Sequence, residues 1–230
     1  MSKKLFLLTC FVLVLALANS LFSQPETWPV AYWSGFGDDP CSWDDANNWW
    51  TVEAYWDDVN YPDVPGRIWA KAPNSVPDAN TVVMVGQGSA DYEGNANYEY
   101  PTELATAGAI GYPVIDSNTT AVCYEINIST GPNDTNGPGR LDMTGGSLTS
   151  IVYSDDWEGI TIGWISGGRG SMTVTDGIVN LTNYDGEGGN LNIGGYGTGL
   201  GTLTQLGGEI YCYHLDCTDA DTSEGHLNLY

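Results

Sequence analysis

Three blocks of this sequence return at one fixed interval, and that interval limits the fold more than any other feature. Gly139-Arg140-Leu141-Asp142-Met143 returns as Gly170-Ser171-Met172-Thr173-Val174 and as Gly201-Thr202-Leu203-Thr204-Gln205, each step being 31 residues. Gly146-Ser147-Leu148 returns at the same step as Gly177-Ile178-Val179 and Gly208-Glu209-Ile210. A third block, Ile160-Thr161-Ile162-Gly163, becomes Leu191-Asn192-Ile193-Gly194. It returns as Leu227-Asn228-Leu229 after 36 residues, which implies an insertion of five in the last unit. Three blocks holding one register define a repeat protein.

Within each unit the apolar residues alternate with polar ones over short runs separated by glycine or polar turns, the pattern of strands. One such unit cannot bury its own apolar face, but a stack of them can. The register places Leu141, Met172 and Leu203 over one another, and likewise Leu148, Val179 and Ile210. Ile160 falls on Leu191 and Ile162 on Ile193. Thirty of 230 residues are glycine, roughly twice the usual share, and helices tolerate glycine poorly. An all-helical fold is excluded. Three strands in about 31 residues fit one coil of a parallel β-helix, with Gly139, Gly170 and Gly201 at its corners. Val122–Ile128 and Thr81–Val85 read as strands of earlier, less regular coils.

Residues 1–20 read as a secretory signal peptide: Lys3 and Lys4, an apolar run from Leu5 to Ala18, then small residues that place cleavage after Ser20, with Ser23 as second choice. No second apolar segment follows, so the mature chain is expected to carry no transmembrane segment and to be secreted or held at the cell surface. Loss of the two leader lysines takes the formal charge from −23 to −25. Nucleic acid and anionic membrane faces are excluded as partners. Cys10 departs with the leader. Cys41, Cys123, Cys212 and Cys217 remain, and an oxidising compartment favours disulfides. The short spacing of Cys212 and Cys217 favours their pairing, which leaves Cys41 for Cys123. A four-thiolate zinc site is the rival, but it usually shows two close cysteine pairs, and the sequence has one.

Seven of the nine tryptophans fall in segment 28–69, and residues 21–75 read as a Trp-rich N-terminal cap on the stack at 76–230. The last strand breaks off at Tyr230, so the stack reads as truncated at that end. Trp43-Asp44-Asp45-Ala46-Asn47-Asn48-Trp49, followed by Val76-Pro77-Asp78-Ala79-Asn80-Thr81-Val82-Val83, resembles the opening of secreted bacterial β-helix proteins. The blocks at 139–229 resemble the passenger-associated repeats of autotransporters. That resemblance implies a right-handed, pectin-lyase-like β-helix at or outside the cell surface. It specifies architecture rather than activity.

Four chemical readings compete. At the repeat interval Asp156 falls on Glu187, with Asp219 or Asp221 next. Stacked carboxylates repel, and extracellular calcium would relieve them. The sequence lacks a complete calcium-loop pattern, which favours solvated turn acids instead. His214 and His226 flank acids in a loop that could hold zinc only if folded back on itself. The glycines around Tyr196 are turns, since no helix pattern or Walker lysine follows. Trp33, Trp49, Trp50 and Trp56, with Asp57 and Asp58, could stack on and bind sugar rings, although a cap needs large apolar side chains for its own sake. A polysaccharide lyase or hydrolase would need a base or paired carboxylates near a cation, and Arg67, Lys71, Arg140 and Arg169 are the only cationic side chains of the mature chain. The expectation is a structural or adhesive protein with no resident cofactor unless calcium, contacting extracellular polysaccharide or cell-surface components. A carbohydrate-binding module and a β-helix polysaccharide-cleaving enzyme are its rivals.

Overall fold

The computed structural model describes residues 28–57, 66–86, 111–129, 139–152, 158–163, 167–183, 188–195, 198–217 and 223–230. In chain order the strands are β1 (Trp28–Trp33), β2 (Trp49–Asp57), β3 (Gly66–Lys71), β4 (Val82–Val85), β5 (Val114–Ile115), β6 (Thr120–Cys123) and β7 (Glu125–Ile128). There follow β8 (Arg140–Val152), β9 (Glu158–Ile162), β10 (Arg169–Asn183), β11 (Asn190–Ile193), β12 (Leu200–Gln205), β13 (Glu209–Tyr211), β14 (Leu215–Asp216) and β15 (Glu224–Leu229). One turn of 3-10 helix, Ala46–Asn48, precedes β2.

These strands correct the expected fold class. They gather into two sheets, not into a right-handed parallel β-helix of three strands per coil. The first sheet has eight strands in the order β14-β11-β9-β7-β4-β1-β2-β3, and it is mixed. Its β1-β2-β3 part is antiparallel and the remainder parallel. The second sheet runs β15-β12-β10-β8-β5, with β6 and β13 pairing the far halves of β8 and β10, and all its pairs are parallel. The reason lies in two blocks of each repeat. In the first two repeats they join into one long strand, 13 residues in β8 and 15 in β10, whereas in the third they stay apart as β12 and β13. The join carries a register shift around Asp176 and a glycine at positive φ, Gly146 at 65° and Gly177 at 99°.

The repeat register itself is the register of the sheets. Met172 pairs with both Leu141 and Leu203, Val179 with Leu148 and Ile210, Leu191 with Ile160, and Ile193 with Ile162. The inward residues form one apolar core that also takes in Trp33, Trp43 and Trp49. Such burial stabilises each large side chain by about 1.5–3 kcal/mol. The last unit differs from expectation. Leu227 pairs with Leu203 and Leu215 with Leu191, so the step contracts to 24 residues instead of stretching to 36. Leu227-Asn228-Leu229 thus continues the first block, and Leu215-Asp216 is the short third.

The expected corner glycines have a different task. A side chain on Gly170 would meet the Ile128 carbonyl and lie 2.5 Å from Gly163 N. At Gly201 it would meet the Ile162 carbonyl and Gly194 N, one repeat on. These positions let a strand of one sheet cross the end of a strand of the other at backbone contact.

Candidate functional site

The tryptophan segment is continuous with the core. Asn48 organises the turn between β1 and β2: its amide nitrogen donates to the carbonyls of Asp39 (2.7 Å) and Ser42 (2.8 Å), and its Oδ1 accepts from Gly37 N (2.7 Å). Asp45 caps the 3-10 turn by accepting from Asn47 N. Trp49 then packs edge-on against Trp33 (5.0 Å, 81°) and Trp43 (4.7 Å, 69°), and its Nε1 donates to the Trp43 carbonyl at 2.8 Å. Trp33 and Trp49 are 1% and 0% exposed, so neither offers a face to a sugar. This corrects their expected role in carbohydrate binding. Trp50 is half-buried. The side chains of Trp56 and Asp57, and Asp58 as a whole, lie outside the described residues.

Asp156, Glu187, Asp219 and Asp221, the expected calcium edge, also lie outside the described residues. Among the described residues no group of three or more His, Cys, Asp or Glu is placed to hold a metal ion. Cys41, Cys123, Cys212 and Cys217 are free, so neither expected disulfide is formed. Cys123 is wholly buried in the core with its sulfur directed at the Thr149 carbonyl (3.8 Å). Burial, reinforced by the Glu125 charge, pushes its thiol far above the usual range, while a Ser150 hydrogen bond opposes this weakly. Cys212 is raised by burial alone. Arg140 is committed to structure: it forms a two-pronged pair with Asp142, Nε to Oδ1 at 2.9 Å and Nη2 to Oδ2, and lies 4.1 Å above the Tyr112 ring.

Two features of the described surface were not foreseen. The first is a polar ladder on the first sheet. Along β7 the residues Ile126 and Ile128 enter the core, so Glu125 and Asn127 face the other way. Asn127 pairs with Thr161, Thr161 with Asn192 and Asn192 with Asp216, which carries one row of polar side chains across four strands. Glu125, Asn127, Thr161 and Asn192 are all buried, and Asp216 at the end of the row is exposed. Asn127 Nδ2 donates to Glu125 Oε1 at 2.7 Å. Asn127 Oδ1, Thr161 Oγ1 and Asn192 Oδ1 have no hydrogen-bond partner among the described residues. The repeat alignment shows Thr161 over Asn192, yet the burial of an outward row is not visible in sequence.

The second feature is an aromatic and apolar end. Tyr211, Tyr213, Leu215, Leu229 and Tyr230 are exposed around the last strands of both sheets. Tyr213 packs edge-on against His214 at 4.3 Å, and the Tyr211 hydroxyl donates to Glu209 Oε2.

Together these define a class: a two-sheet repeat stack with a continuous apolar core, a buried polar row and an aromatic end. No protein-family model, curated protein or solved structure matches the chain. No helix among the described residues is long and apolar enough to cross a membrane.

Proposed function

We propose that this chain is a secreted or surface-displayed structural and adhesive protein whose aromatic end contacts extracellular polysaccharide. The observation that carries the reading is the exposure of Tyr211 (54%) and Tyr213 (59%) beside Leu215, whereas Trp33, Trp43 and Trp49 lie in the core. An exposed tyrosine offers an apolar ring for a sugar face and a hydroxyl for its polar edge. The excess of acidic side chains favours neutral over anionic polymers. The leader at 1–20 and the likeness of the 139–229 repeats to autotransporter passenger repeats support an extracellular address.

The test is affinity electrophoresis of residues 21–230 through gels carrying neutral or acidic polysaccharides. Retardation by a neutral polymer is expected, with loss in the Tyr211→Ala/Tyr213→Ala double variant. No retardation, or retardation unchanged in that variant, refutes the adhesive reading. Recovery of a chain beginning after Ser20 from the medium or cell surface tests the address.

A further inference from the structure

We propose that the free edge of β15 is a self-association surface, where a second copy of this chain pairs its own β15 antiparallel about a two-fold axis at Leu227. Among the described strands β15 is last in the row β15-β12-β10-β8-β5, and none of them pairs its outer side. It holds neither proline nor lysine and keeps unbroken register with β12 from Glu224 to Leu229, so it lacks the usual guards of an edge strand. The opposite end of the sheet is guarded: Ser42 bridges to Val114 in β5, and Val114 N donates to the Cys41 carbonyl at 2.8 Å. The core beside β15 is open as well. Leu227 takes the rung of the buried Leu203 yet is only partly buried, and Leu229 and Tyr230 are 64% and 86% exposed.

The phase of the hydrogen bonds selects the partner. Glu224 N donates to the Gly199 carbonyl at 2.9 Å and Tyr230 N to the Gln205 carbonyl at 3.1 Å. Main-chain groups alternate sides along a strand, so the N–H and C=O of Gly225, Leu227 and Leu229 point to the open edge. A second β15 centred on Leu227 answers each of them. Leu227 meets its own counterpart and Gly225 meets Leu229 on both sides of the axis, which gives about six main-chain hydrogen bonds. In that register Glu224 faces Tyr230 and His226 faces Asn228, so no acid meets an acid. Opposite residues share a face of the sheet, so Leu227 and Leu229 of both copies extend one apolar layer. Tyr211 lies on β13, which pairs with β10 one rung below, and takes no part in the pairing. The surface is therefore independent of the aromatic contact with polysaccharide.

Sedimentation equilibrium of residues 21–230 tests this. The mean mass should rise from one chain to two between about 1 and 100 μM, as suits a small interface. Each mature chain carries a formal charge of −25, so the association should tighten as salt is added. Leu229→Pro removes an edge N–H that β12 does not use; it should weaken the dimer at least about tenfold and melt as the dilute wild type does. Amide exchange read by NMR needs no variant. The Gly225, Leu227 and Leu229 amides should gain protection as concentration rises, while those of Glu224 and Tyr230, already bonded to β12, change far less. The Tyr211→Ala/Tyr213→Ala variant should dimerise like the wild type, which separates this surface from the polysaccharide contact. A single-chain mass at every concentration overturns the proposal, as does growth beyond two chains. A dimer that survives Leu229→Pro, that is lost in the tyrosine variant, or that leaves the three edge amides unprotected overturns it as well.

Discussion

Replacing Gly170 by alanine isolates the contact that joins the two sheets. The added methyl would overlap the Ile128 carbonyl and stand 2.5 Å from Gly163 N, and both are main-chain atoms that no rotamer change can clear. Gly163 N donates to that same carbonyl at 2.7 Å, so moving the carbonyl aside breaks this hydrogen bond. Leaving buried backbone groups unmet costs about 1–3 kcal/mol, and overpacking adds about 1–3 kcal/mol. The sum, about 2–6 kcal/mol, is a large part of the roughly 5–15 kcal/mol that holds a domain together. With a urea dependence of about 2–3 kcal/mol per molar, the unfolding midpoint should fall by about 0.7–3 M at unchanged slope. Gly201→Ala meets the equivalent atoms one repeat on and should lose a similar amount. Gly189→Ala is the control, since its methyl would rest in ordinary contact, 3.4 Å from Val152 Cγ2. It should be neutral or stabilising by up to about 1 kcal/mol. A Gly170→Ala midpoint within 0.2 M (roughly the error of extrapolation) of the wild type would refute the close-crossing argument, as would an equal loss in Gly189→Ala.

Further outcomes follow from the core. The Cys123 thiol is raised by burial, so its contribution to stability is complete below its unfolded value of about 8.5 and is lost as pH climbs above that. Stability should decline by up to about 1.4 kcal/mol per pH unit there, and Cys123→Ala should flatten that decline in urea titrations at pH 8 to 10. The same burial makes Cys123 inert to thiol reagents until the protein unfolds, while the partly exposed Cys41 and Cys217 react in the folded state; mass spectrometry after pulse labelling reads the difference. Trp49→Phe removes the hydrogen bond to the Trp43 carbonyl and opens a void between Trp33 and Trp43, and should cost about 2–4 kcal/mol in denaturant unfolding with loss of near-ultraviolet dichroism.

The pairing register was legible because equal spacing of Leu141, Met172 and Leu203 is a direct consequence of parallel in-register pairing. What the repeat did not reveal was where the chain turns. Gly139, Gly170 and Gly201 were natural candidates for corners, but glycine serves two needs, positive φ and close approach, and sequence does not separate them. Positive φ falls on Gly146, Gly177 and Gly208, and on Gly163 and Gly194, while Gly170 and Gly201 serve contact. In β8 and β10 the two blocks that read as separate strands therefore run on as one, and only the third repeat keeps them apart. The last unit misled for a related reason: Leu-Asn-Leu satisfies the alternation of either block, and only the pairing of Leu227 with Leu203 decides between them.

At the candidate sites, the tryptophans of the Trp43…Asn48-Trp49 phrase were conspicuous, and a buried anchor and an exposed sugar platform share one composition. A shared turn also marks two strand starts. Asp78-Ala79-Asn80-Thr81 and Asp116-Ser117-Asn118-Thr119 form the same turn, in which the aspartate accepts from the asparagine N–H and the threonine hydroxyl just before β4 and β6. The polar ladder was hidden because Asn127, Thr161 and Asn192 sit at positions that alternation assigns to solvent.

The contraction of the final step from 31 to 24 residues bears on how such a gene can change. Seven residues are gone between equivalent rungs, yet Leu203 and Leu227 still meet in register. The length of a unit and the identity of its rung are therefore separable. Recombination between equivalent rungs, from Leu141 to Met172 or from Met172 to Leu203, adds or deletes one whole layer and leaves matched strand edges on both sides. A lineage can lengthen or shorten this molecule in single steps without inventing a new core.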